Sequence, residues 1–143
     1  MSAPINFPSL SVLVIDDEAF MRQLIIRVLN ELGINHVSAA RDGDEGLQKV
    51  AEAGNQLDLI LCDLEMPEMD GFEFVRQLRS SQHVRNPNIP VLIITGHSDQ
   101  DNVKEAVKTG INGFLVKPIS KTNLENRIKL ALKGRQIDPS VLK

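Results

Sequence analysis

The chain has 143 residues, 42% of them hydrophobic and 24% charged, with a net charge of −3. That composition supplies a core for one ordinary domain and argues against a disordered chain. A pI near 5.6 with no concentrated basic stretch argues against a nucleic-acid surface, and no apolar run approaches the roughly 18 residues of a membrane span. Neither nucleic acid nor membrane is therefore expected as a partner. The first ten residues have no secretory pattern, and the single cysteine, Cys62, falls in a predicted strand as a small buried hydrophobe, so a reducing cytoplasm is the expected location. The absence of Trp and Tyr removes the usual stacking platforms for single-stranded nucleic acid.

Residues 1–9 read as a short arm with Pro4 and Pro8. Leu10 to Ile15 is the first strand and ends on Asp16, Asp17 and Glu18. A helix follows from about Glu18 to Leu32, with Phe20, Leu24, Val28 and Leu32 as an apolar stripe beside Met21 and Ile25, and Gly33 as its stop. Val37 to Ala40 is a second strand, and Asp42-Gly43 turns the chain into a helix from about Gly43 to Ala53 that faces Leu47, Val50 and Ala51 inward. The run Leu57-Asp-Leu-Ile-Leu-Cys-Asp63 is the third strand, apolar enough to be buried on both faces and closed by the turn signals Met66-Pro67 and Asp70-Gly71.

A helix from about Gly71 to Ser81 packs through Phe74, Val75 and Leu78. Arg85 to Pro90 contains two prolines and forms no regular element. Val91 to Thr95 is the fourth strand, and Ser98 or Asp99 caps a helix from about Gln100 to Thr109 that packs through Val103, Ala106 and Val107. Gly113 to Lys117 is the fifth strand, closed by Pro118. A last helix runs from about Lys121 to Lys133 with Leu124, Ile128, Ala131 and Leu132 inward, and residues 134–143 read as a frayed tail. Five strands alternating with five helices predict an α/β fold, a parallel sheet with helices on both faces, and no second domain.

Parallel strands end on one rim, so Asp16, Asp17, Asp63, Thr95 and Lys117 are expected in one cleft. Clustered carboxylates raise a pKa or recruit a cation, and oxygen donors without His or Cys suit Mg²⁺ or Mn²⁺. Such a site can pass a phosphoryl group to Asp63, with Lys117 and the cation holding the charge on the transferred oxygens and Thr95 donating a hydrogen bond. Each residue has a plainer role when taken alone: Asp16 and Asp17 as helix caps, Asp63 as a turn carboxylate, Thr95 as a strand-end residue, Lys117 as a solvated lysine. Their joint placement at four strand ends favours the site.

Val14-Ile-Asp-Asp-Glu18, Asp63-Leu-Glu-Met-Pro-Glu-Met-Asp-Gly71, Ile94-Thr-Gly-His97 and Leu115-Val-Lys-Pro118 together resemble the receiver domain of response regulators, the phosphoacceptor module of two-component signalling. The resemblance covers about residues 10–133 and implies the flavodoxin-like strand order 2-1-3-4-5, of which chemotaxis receivers are an example. It implies Asp63 as phosphoacceptor; Mg²⁺ bound by the side chains of Asp17 and Asp63, by the backbone carbonyl of Glu65 and, mostly through water, by Asp16; Lys117 on the phosphate with a cis bond to Pro118; and Thr95 with Phe114 as the switch pair. Gly96 stands where the family usually has Ala, and Glu65 and His97 occupy variable positions that influence phosphate lifetime in the family.

The implied partners are a histidine kinase or histidine phosphotransfer protein and a downstream protein target, read on the face of the fourth helix, fifth strand and fifth helix, where a phosphorylation-dependent homodimer could also form. The module would be no enzyme beyond assisting its own phosphorylation and dephosphorylation. The alternatives are a receiver-fold binding module that works without phosphorylation and a hydrolase passing through an aspartyl phosphate. The hydrolase is disfavoured because the adjacent pair Asp16-Asp17 replaces the Asp-x-Asp nucleophile motif usual there.

Overall fold

The computed structural model describes residues 5–96 and 100–133, with the side chains of 100–103 excluded. The five strands are β1 (Ser11–Ile15), β2 (His36–Ala40), β3 (Leu59–Asp63), β4 (Val91–Thr95) and β5 (Gly113–Val116), and the five helices are α1 (Ala19–Glu31), α2 (Gly43–Ala53), α3 (Gly71–Ser80), α4 (Gln100–Thr109) and α5 (Lys121–Ala131). Every strand pair is parallel, and the order across the sheet is β2-β1-β3-β4-β5. The register sets Val14 beside Leu61, Asp63 beside Ile94 and Thr95 beside Val116, so the chain leaves β1, β3, β4 and β5 on one edge of the sheet.

All residues of β3 and β4 are buried, as their unbroken apolar sequences require when helices cover both faces. One face of the sheet presents Leu13, Ile15, Ile60, Cys62, Val91 and Ile93 to Phe74, Val75 and Leu78 of α3 and Val50 of α2. The other presents Val12, Val14, Leu59, Leu61, Leu92 and Ile94 to Ile25, Val28 and Leu29 of α1 and Leu124, Ile128 and Ala131 of α5. Each large apolar side chain buried this way contributes roughly 1.5–3 kcal/mol.

Side-chain caps start three of the helices: Asp42 accepts from the Glu45 amide, Asp70 from the Glu73 amide and Ser120 from the Asn123 amide. Gly33, at φ 93°, takes the left-handed conformation that follows the last turn of α1.

The structure departs from the sequence expectations in places. The buried stripe of α1 is Ile25, Val28 and Leu29, whereas Phe20 is 79% exposed. The four-residue repeat drifts around a helix of 3.6 residues per turn, and Phe20 at its start falls outside the covered face. At the N-terminal end, Phe7–Ser9 forms a 3-10 turn, and Ile5 and Phe7 pack against the core. The helix-capping roles of Ser98 and Asp99, the inward placement of Val103, His97 and the tail 134–143 lie outside the described residues.

The proline-bearing segment before β4 is held by one side chain that the helical pattern of α3 hides. The Arg79 guanidinium donates to the carbonyls of Pro87, Ile89 and Gly110 and to Asn112 Oδ1 at 2.6–3.3 Å. Asn112 Oδ1 also accepts from the Val91 amide. Burial lowers the Arg79 pKa from its ordinary value.

The turn from β3 into α3 is the tightest point near the sheet edge. A Cβ on Gly71 would lie 2.8 Å from the Asp63 carbonyl oxygen and 3.0 Å from Leu64 Cα, both backbone atoms. Gly71→Ala is therefore expected to destabilise the chain by about 1–3 kcal/mol through forced backbone displacement, read as a lower urea midpoint with an unchanged m-value. An unchanged midpoint would show that the turn is not tight.

Candidate functional site: an acidic cleft at the strand ends

Asp16 follows β1, fully buried, with its amide tied to the Ala40 carbonyl of β2. Its Oδ1 accepts from the Glu18 amide at 2.9 Å, and its carbonyl takes the Arg22 guanidinium at 2.7 Å. Asp16 thus does part of the helix-entry work foreseen for it, while its Oδ2 is buried with no hydrogen-bond partner among the described residues. Asp63 closes β3 at 3% exposure. Backbone bonds from Leu64 to Ile94 and from Lys117 to Thr95 continue the sheet pattern past the strand ends and tie these segments to one another.

One oxygen from each of Asp16, Asp17 and Asp63 lies within 4.8 Å of the others. Lys117 Nζ stands 2.9 Å from Asp63 Oδ1, and the Lys117–Pro118 peptide is cis. Burial pushes the Asp63 carboxyl up to about 6; Lys117 holds it down, while Asp16 and Glu65 add to the rise. Burial likewise raises Asp16, against the Glu18 amide and Lys117, which lower it. Burial disfavours the Lys117 ammonium, but Asp63, Asp16 and Glu65 outweigh it and leave the Lys117 pKa above its ordinary value.

The donor set fits a hard divalent cation. Three carboxylates each offer an oxygen near one point, Asp16 also has a buried Oδ2 with no hydrogen-bond partner among the described residues, and no His or Cys joins the cluster among those residues. Cys62 is buried and its thiol is pushed up by burial, so it behaves as core.

The remaining expected residues fall as follows. Thr95 is fully buried at the end of β4, and its hydroxyl donates to Glu65 Oε1. The resemblance gave Glu65 a backbone-carbonyl role and a variable position that influences phosphate lifetime, but nothing in the pattern of residues marks that side-chain bond. Phe114 is half-buried on β5 and, with Leu115, Val116, Asn123, Asn126, Arg127 and Leu130, borders a groove of about 450 Å³ between β5 and α5.

The family model for the response regulator receiver domain matches residues 12–129. The chain belongs to this family. It is 29% identical over 128 residues to the chemotaxis protein CheY-3 of Vibrio cholerae, an alignment covering 90% of this chain and 95% of that protein. It is 33% identical over 123 residues to the osmosensing histidine protein kinase SLN1 of Saccharomyces cerevisiae, covering 84% of this chain but 10% of the kinase. Its fold matches a solved receiver domain protein from Clostridium thermocellum with a TM-score of 0.77 and 34% identity, over 87% of this chain and 94% of that one. The five-stranded order 2-1-3-4-5 expected from the motifs is the observed one. Among the described residues no helix is long and apolar enough to cross a membrane.

The raised Asp63 pKa has a consequence for stability. Its value in the unfolded chain is near 3.9, so folding favours the neutral acid. The associated stability is present in full below about pH 4 and is lost as pH rises through about 6. In chelated, metal-free buffer, Asp63→Asn should stabilise the chain at pH 7, by up to about 3 kcal/mol, and the advantage should shrink toward pH 4. Urea midpoints across that range check it; a constant or inverted difference would contradict the electrostatic origin.

Proposed function

We propose that the chain is a phosphoacceptor of a two-component relay. Asp63 would receive a phosphoryl group from a histidine kinase or a histidine phosphotransfer protein and thereby alter the binding of a downstream protein. The observation that carries this is the arrangement around Asp63: a nearly buried carboxylate at a strand end, with an ammonium 2.9 Å away and two further carboxylates placed to share a cation.

An ionised Asp63 oxygen attacks the phosphorus of the donor. As the new O–P bond forms, the P–N bond to the donor imidazole breaks and its electron pair returns to the ring nitrogen. Lys117, beside Asp63, is placed to accompany the negative charge on the phosphoryl oxygens through this displacement. Its charge also offsets the cost of keeping Asp63 ionised in a desolvated position.

Receiver domains bind Mg²⁺ in this acidic pocket. Here Asp17 and Asp63, with Asp16 and the Glu65 carbonyl, would hold it; Mn²⁺ has the same oxygen preference. Bound there, the ion supplies positive charge that lets an anionic donor approach an anionic acceptor. Thr95 would donate to the phosphoryl group, and Phe114, half-buried beside the β5–α5 groove, would carry the change to the face of α4, β5 and α5. For that face to report phosphorylation, the phosphoryl group must favour one of two conformations.

Incubation with acetyl phosphate and Mg²⁺ should add one phosphoryl group by intact mass, and Asp63→Asn should remove it. No adduct on the native chain, or equal labelling of the variant, would refute the proposal and favour a binding module that works without phosphorylation. Independently, Mg²⁺ at about 100 times its Kd should stabilise the native chain by about 2.7 kcal/mol. Asp17→Asn should lose most of that gain in a thermal melt; an equal gain in the variant would exclude Asp17 as a ligand.

A further inference from the structure

We infer that the Glu65 side chain is a positioning residue that holds the Thr95 hydroxyl away from the phosphoryl position, so that occupancy of Asp63 requires Thr95 to change acceptors. This rests on Asp63 being the phosphoacceptor and assigns a role within that site to a side chain outside the cation cluster.

Thr95 has one hydroxyl proton and can donate it to one acceptor at a time. In the structure that acceptor is Glu65 Oε1. The bond is charge-assisted, and Thr95 is fully buried, so exchange of its donor bond with bulk water is hindered. Glu65 sits two residues after Asp63 on the loop leaving β3, while Thr95 ends the neighbouring strand β4, so the bond spans the cleft between two strand ends.

The Glu65 carboxylate is not one of the three grouped to share a cation. It nevertheless lies close enough to Asp63 and Lys117 to raise the pKa of both. Its bond to Thr95 therefore stands beside the carboxylate that a phosphoryl group would join, and the hydroxyl it holds is the donor that group would take.

For Thr95 to donate to the phosphoryl group, the bond from its Oγ1–H to Glu65 must break and a bond to a phosphoryl oxygen must form. No covalent bond changes in this exchange. Glu65 thus opposes retention of the phosphoryl group through its grip on Thr95, and its removal frees the donor in advance.

The test uses the full chain with Mg²⁺ and beryllofluoride, whose fluorines stand for phosphoryl oxygens on the Asp63 carboxylate, with binding followed by ¹⁹F NMR or calorimetry. Glu65→Ala should lower the half-saturating concentration about tenfold. In a Thr95→Ala background the same substitution should change it by less than about twofold. Thr95→Ser keeps the hydroxyl and should restore the Glu65 effect.

An equal Glu65→Ala effect with and without the Thr95 hydroxyl would overturn the inference, leaving plain charge repulsion. So would no effect, or weaker binding, in the native background. A native chain that takes neither beryllofluoride nor phosphate would overturn the phosphoacceptor assignment itself, and this inference with it. Where Thr95→Ala fails to fold, the hydroxyl proton of Thr95 decides: it should be slowed in exchange and visible by ¹H NMR in the native chain and lost in Glu65→Ala, and its persistence in that variant would overturn the inference.

Discussion

The cleft depends on the confinement of like charges. A parallel sheet delivers the ends of four strands to one edge, and three of the side chains brought there are carboxylates close enough to share one point. Two of them, Asp16 and Asp63, are withdrawn from water. Their mutual repulsion and desolvation can be relieved by protonation, by a cation or by an internal ammonium. Lys117 supplies the last of these and remains in contact with Asp63 at 2.9 Å. The chemistry proposed for the site follows from this standing electrostatic cost: a group that can lower it has a place prepared.

The fold invests in that arrangement well away from the charges. The largely apolar strands β3 and β4 are buried along their whole length between helices on both faces, which holds their ends in place. The close approach of Gly71 to the Asp63 carbonyl and the bond from the Gly71 amide to Leu64 fold the β3–α3 loop back against the strand end. A side chain at the end of a rigid strand keeps its geometry better than one at the tip of a long loop. That is why residues distant in sequence, such as Asp16 and Lys117, can act on the same atom.

Much of this was legible in the residues. Alternating apolar runs and helical periodicities placed ten elements near their observed bounds, because the central strands are strongly apolar, the helices carry clear apolar stripes, and most elements are punctuated by Gly, Pro or a capping residue. The acidic cleft was legible because strand ends are easy to recognise when an apolar run stops on a charge. Phe20 was misplaced because a four-residue repeat does not track one face of a helix indefinitely. Two other features had no signature. Arg79 looks like any polar residue on an amphipathic helix, and only the folded path of residues 85–90 brings carbonyl acceptors to it. The Thr95–Glu65 bond joins the last side chain of β4 to one on the loop after β3, and no local pattern encodes which acceptor a hydroxyl will choose.

Arg79 also gives the sheet a working end and an anchored end. Through Ile89, Gly110 and Asn112 it gathers the backbone just before β4 and just before β5. The opposite tips of the same two strands carry Thr95 and precede Lys117. Each strand is therefore fastened at its root by the Arg79 guanidinium, like a tine set in a handle, and at its crown by backbone bonds to its neighbour. The groups that make the root contacts take no part in the acidic cleft, so the anchorage of the sheet and its chemistry rest on separate residues and can be altered one at a time.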